Sequence, residues 1–208
     1  MLKPFKQTES RFMLKEPSGE PSDNQLIVLV CEADTAAFEL LYKRYYPRLF
    51  RFAFRMTRQL DQIEEIINDV MYVVWKKAAS FQLETRASTW IFGIAYKKCL
   101  KSIAERMTVE HIELEDAVDL IPGIQDSGLQ NLELEDWISV AFSKLPADQR
   151  AVLDLAYHQG LHYSEIAQIM DCPENTVKTR MFNARKKIKT LYPDLLPEFN
   201  ANCKGGIR

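Results

Sequence analysis

The chain has few of the residues on which cofactor folds, metal sites and disulfide frameworks depend. It has seven glycines in 208 residues, and it shows neither a Gly-rich phosphate loop nor a nucleophile with a neighbouring base. Its four cysteines form no CxxC pair, and its three histidines show no metal-ligand spacing with them. The sequence therefore argues against an enzyme and predicts neither a metal nor a cofactor.

Long apolar runs are also missing. No stretch approaches the roughly 20 apolar residues of a membrane-spanning helix, and the polar, Pro-containing segment 1–24 has no signal-peptide core. We therefore expect a cytoplasmic protein without membrane insertion, whose cysteines remain free thiols. The net charge of −2 is small, but the charges are unevenly distributed along the chain.

One segment has no basic residue at all. Met107 to Trp137 contains many acidic residues but no Lys or Arg, and its centre holds Pro122, Gly123 and Gly128. This composition is typical of an extended linker. We therefore divide the chain into a flexible tail over 1–24, a helical domain over 25–106, an acidic linker over 107–132, a second helical domain over 133–192 and a tail over 193–208.

Apolar residues at spacings of three and four predict helices on both sides of this linker. No segment shows the alternation of a strand, so the expected fold class is all-α. Asp34 is expected to cap the first helix, which Pro47 should kink or restart. Further helices are predicted over 61–80, 88–106, 134–145, 147–158, 163–170 and 175–191.

The segment 163–189, YSEIAQIMDCPENTVKTRMFNARKKIK, predicts a helix-turn-helix. Ala167 is small where the two helices would pass, and Pro173 and Asn175 supply turn and cap chemistry. A solvated basic helix would explain the charges alone, but the turn and the packing favour DNA binding. Lys and Arg neutralise phosphates, and interleaved hydroxyl, aromatic and amide groups can contact base edges. The predicted contacts to duplex DNA are Tyr163, Thr176, Lys178, Thr179, Arg180, Phe182, Asn183, Arg185 and Lys187.

These residues and two upstream segments together resemble the extracytoplasmic-function group of bacterial sigma factors. EIAQIMDCPENTVKTRMFNARKKI is similar to the family's region 4.2, and KLPADQRAVLDLAYHQGLHYSEIA to its region 4.1. EEIINDVMYVVWKKAASF resembles region 2.2, and STWIFGIAYKKCL resembles regions 2.3 and 2.4. The blocks stand in the family's order. The resemblance implies two small helical domains, a region 2 bundle and a region 4 helix-turn-helix, joined by the flexible acidic linker.

The resemblance also implies partners. Core RNA polymerase would bind the chain, region 4 would read the −35 element as duplex, and region 2 would hold the melted −10 strand. The contacts expected for the −10 strand are Arg86, Ser88, Trp90, Phe92, Lys97, Lys98 and Lys101. Those expected for core polymerase are Glu65, Ile67, Asn68, Asp69 and Tyr72. An anti-sigma factor is implied as the partner that keeps such a protein inactive.

The alternative function is a two-domain helix-turn-helix regulator that acts without being a polymerase subunit. The segment Glu64–Trp75 distinguishes the two functions, because such a regulator needs no helix for binding the polymerase clamp. The acidic linker also leaves two interpretations open: its charge could mimic nucleic acid, or it could simply repel DNA and stay extended.

Asn183 departs from the family, which usually has Arg at this position. Asn pairs with adenine as Arg pairs with guanine, so we expect a −35 element with a different base opposite Asn183. The substitution Asn183→Arg should shift the preference at one base pair towards guanine, as measured by promoter selection from a randomised library. An unchanged base preference would contradict this assignment.

Lys97 and Lys101 stand where the family has polar residues that read bases of the −10 strand. Lysine favours contacts to phosphate over contacts to base edges.

Overall fold

The computed structural model describes residues 20–110 and 144–191, with side chains up to residue 106 in the first range. Both ranges are helical and contain no strand, which confirms the all-α fold class. The helices are α1 Asp23–Cys31, α2 Thr35–Thr57, α3 Ile63–Lys77, a 3-10 turn Ala78–Ser80, α4 Ala87–Glu110, α5 Ala147–Tyr157, α6 Tyr163–Met170 and α7 Glu174–Leu191. The predicted helix 134–145 up to residue 143, the linker from residue 111, and the tails up to residue 19 and from residue 192 lie outside the described residues.

The sequence reading missed α1, which begins inside the segment predicted as a flexible tail. Ser22 caps this helix: its Oγ accepts the Gln25 N–H at 3.3 Å, and Gln25 Oε1 accepts the Ser22 N–H at 2.8 Å. Arg44 of α2 donates to Asp23 Oδ1 at 3.0 Å and so ties the helix start to its neighbour. The tail prediction is therefore wrong for residues 20–24.

Helix α2 runs through Pro47 as one helix, so of the two predicted outcomes the restart is wrong, and the kink stays a prediction. Pro47 has no N–H and removes one helical hydrogen bond. Tyr45 and Leu49, on either side of it, are no more than 1 % exposed and pack into the core. Residues on both sides of the proline therefore pack into the same core, which α2 shares with α1, α3 and α4. The Tyr45 hydroxyl donates to Asp23 Oδ2 at 2.8 Å, and burial raises the pKa of this hydroxyl.

The second group of helices forms the predicted helix-turn-helix. Helix α5 ends before Gly160, whose φ of +66° suits a residue without a side chain. Helix α6 ends at Met170 and is followed by Asp171 in the left-handed conformation, and α7 begins after Pro173. Ile166 of α6 and Val177 and Met181 of α7 are buried together with residues of α5. The predicted bounds of α6 are confirmed, and α5 and α7 agree to within one residue.

The described helices of the two groups share one core. Helix α2 packs against α5, and α4 packs against α6. The buried apolar residues on both sides form one continuous cluster, from Leu26 in α1 to Ala184 in α7. The sequence pattern predicted two separate cores joined by a linker, and it held no signal for this contact between them.

The burial of Cys99 generates a prediction about thiol reactivity. Cys99 of α4 is 0 % exposed, and burial raises the pKa of its thiol to about 12, whereas Cys31 is exposed. Only the thiolate reacts with iodoacetamide, so at neutral pH Cys31 should be alkylated and Cys99 should not. Peptide mass spectrometry of the native chain measures this, with a urea-unfolded sample as control. Equal labelling of both cysteines in native buffer would contradict the burial of Cys99.

Candidate nucleic-acid and polymerase interfaces

Helix α7 presents one exposed stripe to solvent. Val177, Met181 and Ala184 anchor its inner side and are no more than 2 % exposed. The outer side, spaced by three and four residues, carries Asn175, Lys178, Thr179, Phe182, Asn183 and Lys186. Phe182 is 66 % exposed, so its ring is accessible to a partner on this side of the helix. This stripe combines phosphate-binding charge with groups that can contact base edges.

Two of the predicted −35 residues point instead towards α5. Arg180 lies 2.9 Å from Asp148 and donates to Cys172 Sγ at 3.5 Å. Arg185 donates to the Tyr157 hydroxyl, and its guanidinium carbon lies 5.6 Å from the centroid of that ring. Both guanidinium groups therefore fix α7 against its neighbour, and their contact with DNA stays a prediction. Tyr163 and Thr176 are half-buried, and Lys187 is exposed.

The groups predicted to hold a single strand lie along α4 as far as Lys101, with Arg86 just before the helix. Arg86, Lys97 and Lys101 are exposed, and Ser88 is half-buried. Trp90 is half-buried against Phe81, with ring centroids 5.3 Å apart. An aromatic ring on the same helix as exposed basic side chains is a combination on which unpaired bases can stack.

Phe92 was predicted to contact the −10 strand, and this prediction is wrong. Its ring is 0 % exposed. The ring meets Phe52 edge-on at 5.4 Å, and the guanidinium of Arg48 lies 5.2 Å from its centroid. Phe92 points into the core because it lies on the side of α4 that packs on α2.

Helix α3 presents the predicted polymerase-binding residues, with one exception. Glu65, Asn68 and Tyr72 are exposed, and the Asp69 side chain is 50 % exposed. Ile67 is 0 % exposed, so the prediction that it contacts polymerase is wrong; it anchors α3 in the core instead.

Sequence reasoning missed the neighbouring edge of α2. The Tyr42 hydroxyl donates to Asn68 Oδ1 at 3.3 Å, and the Tyr46 hydroxyl donates to Glu64. The rings of Tyr42 and Tyr46 stack at 5.8 Å. The four-residue spacing of Phe38, Tyr42, Tyr46 and Phe50 was the available signal, and it places these rings along one side of α2.

A polar cleft between α3 and α4 joins the two predicted surfaces of the first domain. Glu65 and Asp69 line one wall, and Lys98 and Lys101 line the other. Lys98 Nζ lies 2.6 Å from Asp69 Oδ2, so one ion pair connects a predicted polymerase contact to a predicted DNA contact.

Two other kinds of site are missing from the described part of the chain. No group of three or more His, Cys, Asp or Glu side chains in it is placed to hold a metal ion. None of its helices is both long and apolar enough to span a bilayer.

The sequence matches two known protein families, one for each group of helices. Residues 41–108 match the family described as Sigma-70 region 2, and residues 135–188 match Sigma-70, region 4. The RNA polymerase sigma-H factor of Pseudomonas aeruginosa is 25 % identical over 189 residues, covering 86 % of this chain and 98 % of the relative. The ECF RNA polymerase sigma-E factor of Haemophilus influenzae is 29 % identical over 185 residues, covering 84 % and 97 %. The sigma-E factor of Escherichia coli K12 is 29 % identical over 189 residues, covering 86 % and 98 %.

Two solved structures share the fold. RpoE of Bartonella quintana, solved in complex with the anti-sigma factor NepR, has a TM-score of 0.62 and 25 % identity, and the match covers 76 % of this chain and 98 % of RpoE. CnrH, solved in complex with the cytosolic domain of CnrY, also has a TM-score of 0.62, with 18 % identity and coverage of 83 % and 98 %. The CnrH likeness concerns the fold alone.

The geometry of α7 separates the roles of its basic residues. Replacing exposed Lys187 with Ala should weaken duplex binding and lower the slope of log affinity against log salt by about 1, because one phosphate contact is lost. The melting temperature of the Lys187→Ala variant should equal that of the wild-type chain. Replacing Arg180 with Met should lower the melting temperature by a few degrees, about what an exposed ion pair contributes. Fluorescence anisotropy at several salt concentrations and thermal unfolding measure both effects.

Lys77→Ala is the matched control for Lys187→Ala, because Lys77 is an exposed lysine on α3 outside the predicted DNA surfaces. An equal loss of duplex affinity and salt slope in this control would contradict a DNA-binding role specific to α7.

Proposed function

Because the chain belongs to the sigma-70 family, within its extracytoplasmic-function group, we propose that it binds core RNA polymerase, directs it to specific promoters and helps to melt the −10 region. The observation that carries this proposal is the joint match to regions 2 and 4, in family order, in a chain that covers 97 % of its Haemophilus relative. A promoter-reading subunit needs both ends, since one reads duplex and the other reads single strand.

The exposed stripe of α7 is the surface we assign to the −35 element. Lys178 in the stripe and the exposed Lys187 next to it serve as phosphate contacts, and Thr179, Phe182 and Asn183 lie where base edges would be read. Arg180 and Arg185 keep the helix oriented through Asp148 and Tyr157. The duplex therefore meets a helix whose inner side is rigidly held.

The part of α4 up to Lys101, with Arg86 just before it, is the surface we assign to the melted −10 strand. Trp90 offers a stacking face, and Lys97 and Lys101 lie one turn apart where they can follow the phosphates. Moving a base out of the stack costs a few kcal/mol, which contacts to the flipped base must offset. Phe92 supports this surface from beneath and takes no direct part in it.

The outer face of α3 is the surface we assign to core polymerase. Glu65, Asn68 and Tyr72 are exposed, with the partly exposed Asp69 beside them. Acidic and amide groups next to an aromatic ring suit a basic helical partner. A regulator that acts without polymerase has no need of this surface, so the same face decides between the two candidate functions.

We also propose that an anti-sigma factor controls the chain. RpoE of Bartonella quintana was solved with the anti-sigma factor NepR, and this chain shares its fold at 25 % identity. We expect no catalytic activity, and we expect a cytoplasmic location because core polymerase is there.

Run-off transcription with purified core polymerase on a promoter library tests the proposal. The chain should support transcripts from a subset of promoters, and the pair of substitutions Asn68→Ala and Tyr72→Ala should reduce both transcription and core binding at least tenfold, because exposed contacts are lost without breaking the Asp69 ion pair. Glu32→Ala, which removes an exposed acid after α1, is the control. Absence of transcripts on every template would contradict the proposal. Core binding unaffected by the pair of substitutions would favour the regulator instead.

A further inference from the structure

One side chain of α1 makes three hydrogen bonds to the segment between the 3-10 turn and α4. Asn24 Nδ2 donates to the carbonyl oxygens of Leu83 at 3.3 Å and Thr85 at 3.0 Å. Asn24 Oδ1 accepts the backbone N–H of Ala87, the first residue of α4, at 2.8 Å. The amide therefore uses both its nitrogen and its oxygen on backbone groups of one short segment.

The loop that Asn24 contacts has no buried side chain of its own. None of the five residues from Gln82 to Arg86 is buried. Phe81 before the loop packs on Trp90, and Ala87 after it is 2 % exposed, so apolar packing anchors only the two ends. One turn hydrogen bond of 2.9 Å lies within the loop. The bonds from Asn24 therefore limit the conformations of a segment that packing leaves unfixed.

Asn24 also completes the start of α4. The first N–H groups of a helix have no acceptor within it, and the side chain of the residue before the helix often supplies one. Here that residue is Arg86, whose guanidinium has donors only. Asn24 supplies the acceptor for Ala87 from another helix. The amide thus holds the carbonyl before Arg86 and the N–H after it, which fixes the backbone on both sides of this residue.

The position of Asn24 is fixed by its neighbours at the start of α1. The adjacent Asp23 accepts from Arg44 at 3.0 Å and from the Tyr45 hydroxyl at 2.8 Å, and both partners belong to α2. Arg44 also donates to the carbonyl of Pro21 at 2.7 Å. The loop before α4 is therefore tied, through the start of α1, to the core of the first domain.

Arg86 is the predicted strand contact that this arrangement positions. Its side chain is 63 % exposed, and its Nε lies 3.5 Å from Glu165 Oε1 of α6. The same oxygen of Glu165 accepts from the Thr89 hydroxyl at 3.2 Å. A long cationic side chain loses conformational freedom when it binds a partner. A backbone that is already fixed at Arg86 reduces the ordering that binding has to supply.

We propose that Asn24 is a positioning residue for the melted strand: it holds the loop before α4 in place and so presents Arg86 to the strand. The role in strand binding rests on the proposed function, but the hold on the loop does not. Asn24 lies at the end of the segment predicted as a flexible tail, and it belongs to none of the predicted contact sets.

Amide hydrogen exchange in the full chain, resolved by NMR, tests the hold on the loop. Asn24→Ala removes the acceptor and should speed exchange of the Ala87 amide roughly tenfold or more. Asn24→Asp keeps an acceptor there, next to a helix N-terminus that favours a carboxylate, and should restore slow exchange. Val28→Ala is the matched control, because it truncates an exposed side chain one turn further along α1. Unchanged exchange of the Ala87 amide in Asn24→Ala would overturn the proposal.

A double-mutant cycle tests the role in strand binding. Holoenzyme made with core RNA polymerase is titrated into a fluorescein-labelled, A/T-rich single-stranded oligonucleotide, and anisotropy gives the affinity, with core alone as the blank. Arg86→Ala should weaken binding about tenfold, roughly the loss of one charged contact. Asn24→Ala should weaken it severalfold. The double variant should bind no more weakly than Arg86→Ala, because Asn24 acts through Arg86.

General damage to the first domain would give a different pattern. It would lower the affinity for core polymerase, whereas we expect Asn24→Ala to bind core as the wild-type chain and Val28→Ala do. Losses of Asn24→Ala and Arg86→Ala that add in full would overturn the proposal. So would an Asn24→Ala holoenzyme that binds the oligonucleotide as tightly as wild type. Failure of the proposed function would show as a loop held by Asn24 in a chain that forms no holoenzyme.

Discussion

The ion pair between Arg55 and Asp154 is the contact on which the arrangement of this molecule depends. A carboxylate with no exposure at all requires a partner, and the partner here belongs to a helix about a hundred residues earlier in the chain. Once α2 and α5 meet, α4 and α6 lie side by side, and the apolar residues of both groups merge into one cluster. The relative placement of the two surfaces predicted to bind DNA follows from this meeting.

Contacts between polar side chains also determine which groups on the predicted binding surfaces face solvent. Asp148 and Tyr157 draw Arg180 and Arg185 inward, which leaves the other basic groups of α7 to face solvent. Asp69 holds Lys98 across the cleft between α3 and α4, so a partner that binds Asp69 would compete with Lys98. A residue predicted to bind polymerase and one predicted to bind the −10 strand are therefore joined by an ion pair in the first domain.

Local patterns predicted the elements of this fold better than its contacts. The helix-turn-helix was predicted closely because its caps, turn and spacing all lie within 163–191. The capping box of Ser22 and Gln25 was present in the sequence but overlooked, and α1 was lost with it. Phe92 and Ile67 were assigned by family position, although the side of the helix on which each lies buries it. The partners of Asp154 and Glu165 could not be predicted, because no local pattern specifies contacts between distant helices.

A distance measurement between the two groups of helices tests this account most directly. Spin labels at Arg51→Cys on α2 and Gln168→Cys on α6, both exposed, report the separation by double electron–electron resonance. Cys31, Cys172 and Cys203 are replaced by Ser, and buried Cys99 can stay. The account predicts one narrow distance distribution for the free chain. A broad distribution, as expected for two domains that move independently on a linker, would contradict it.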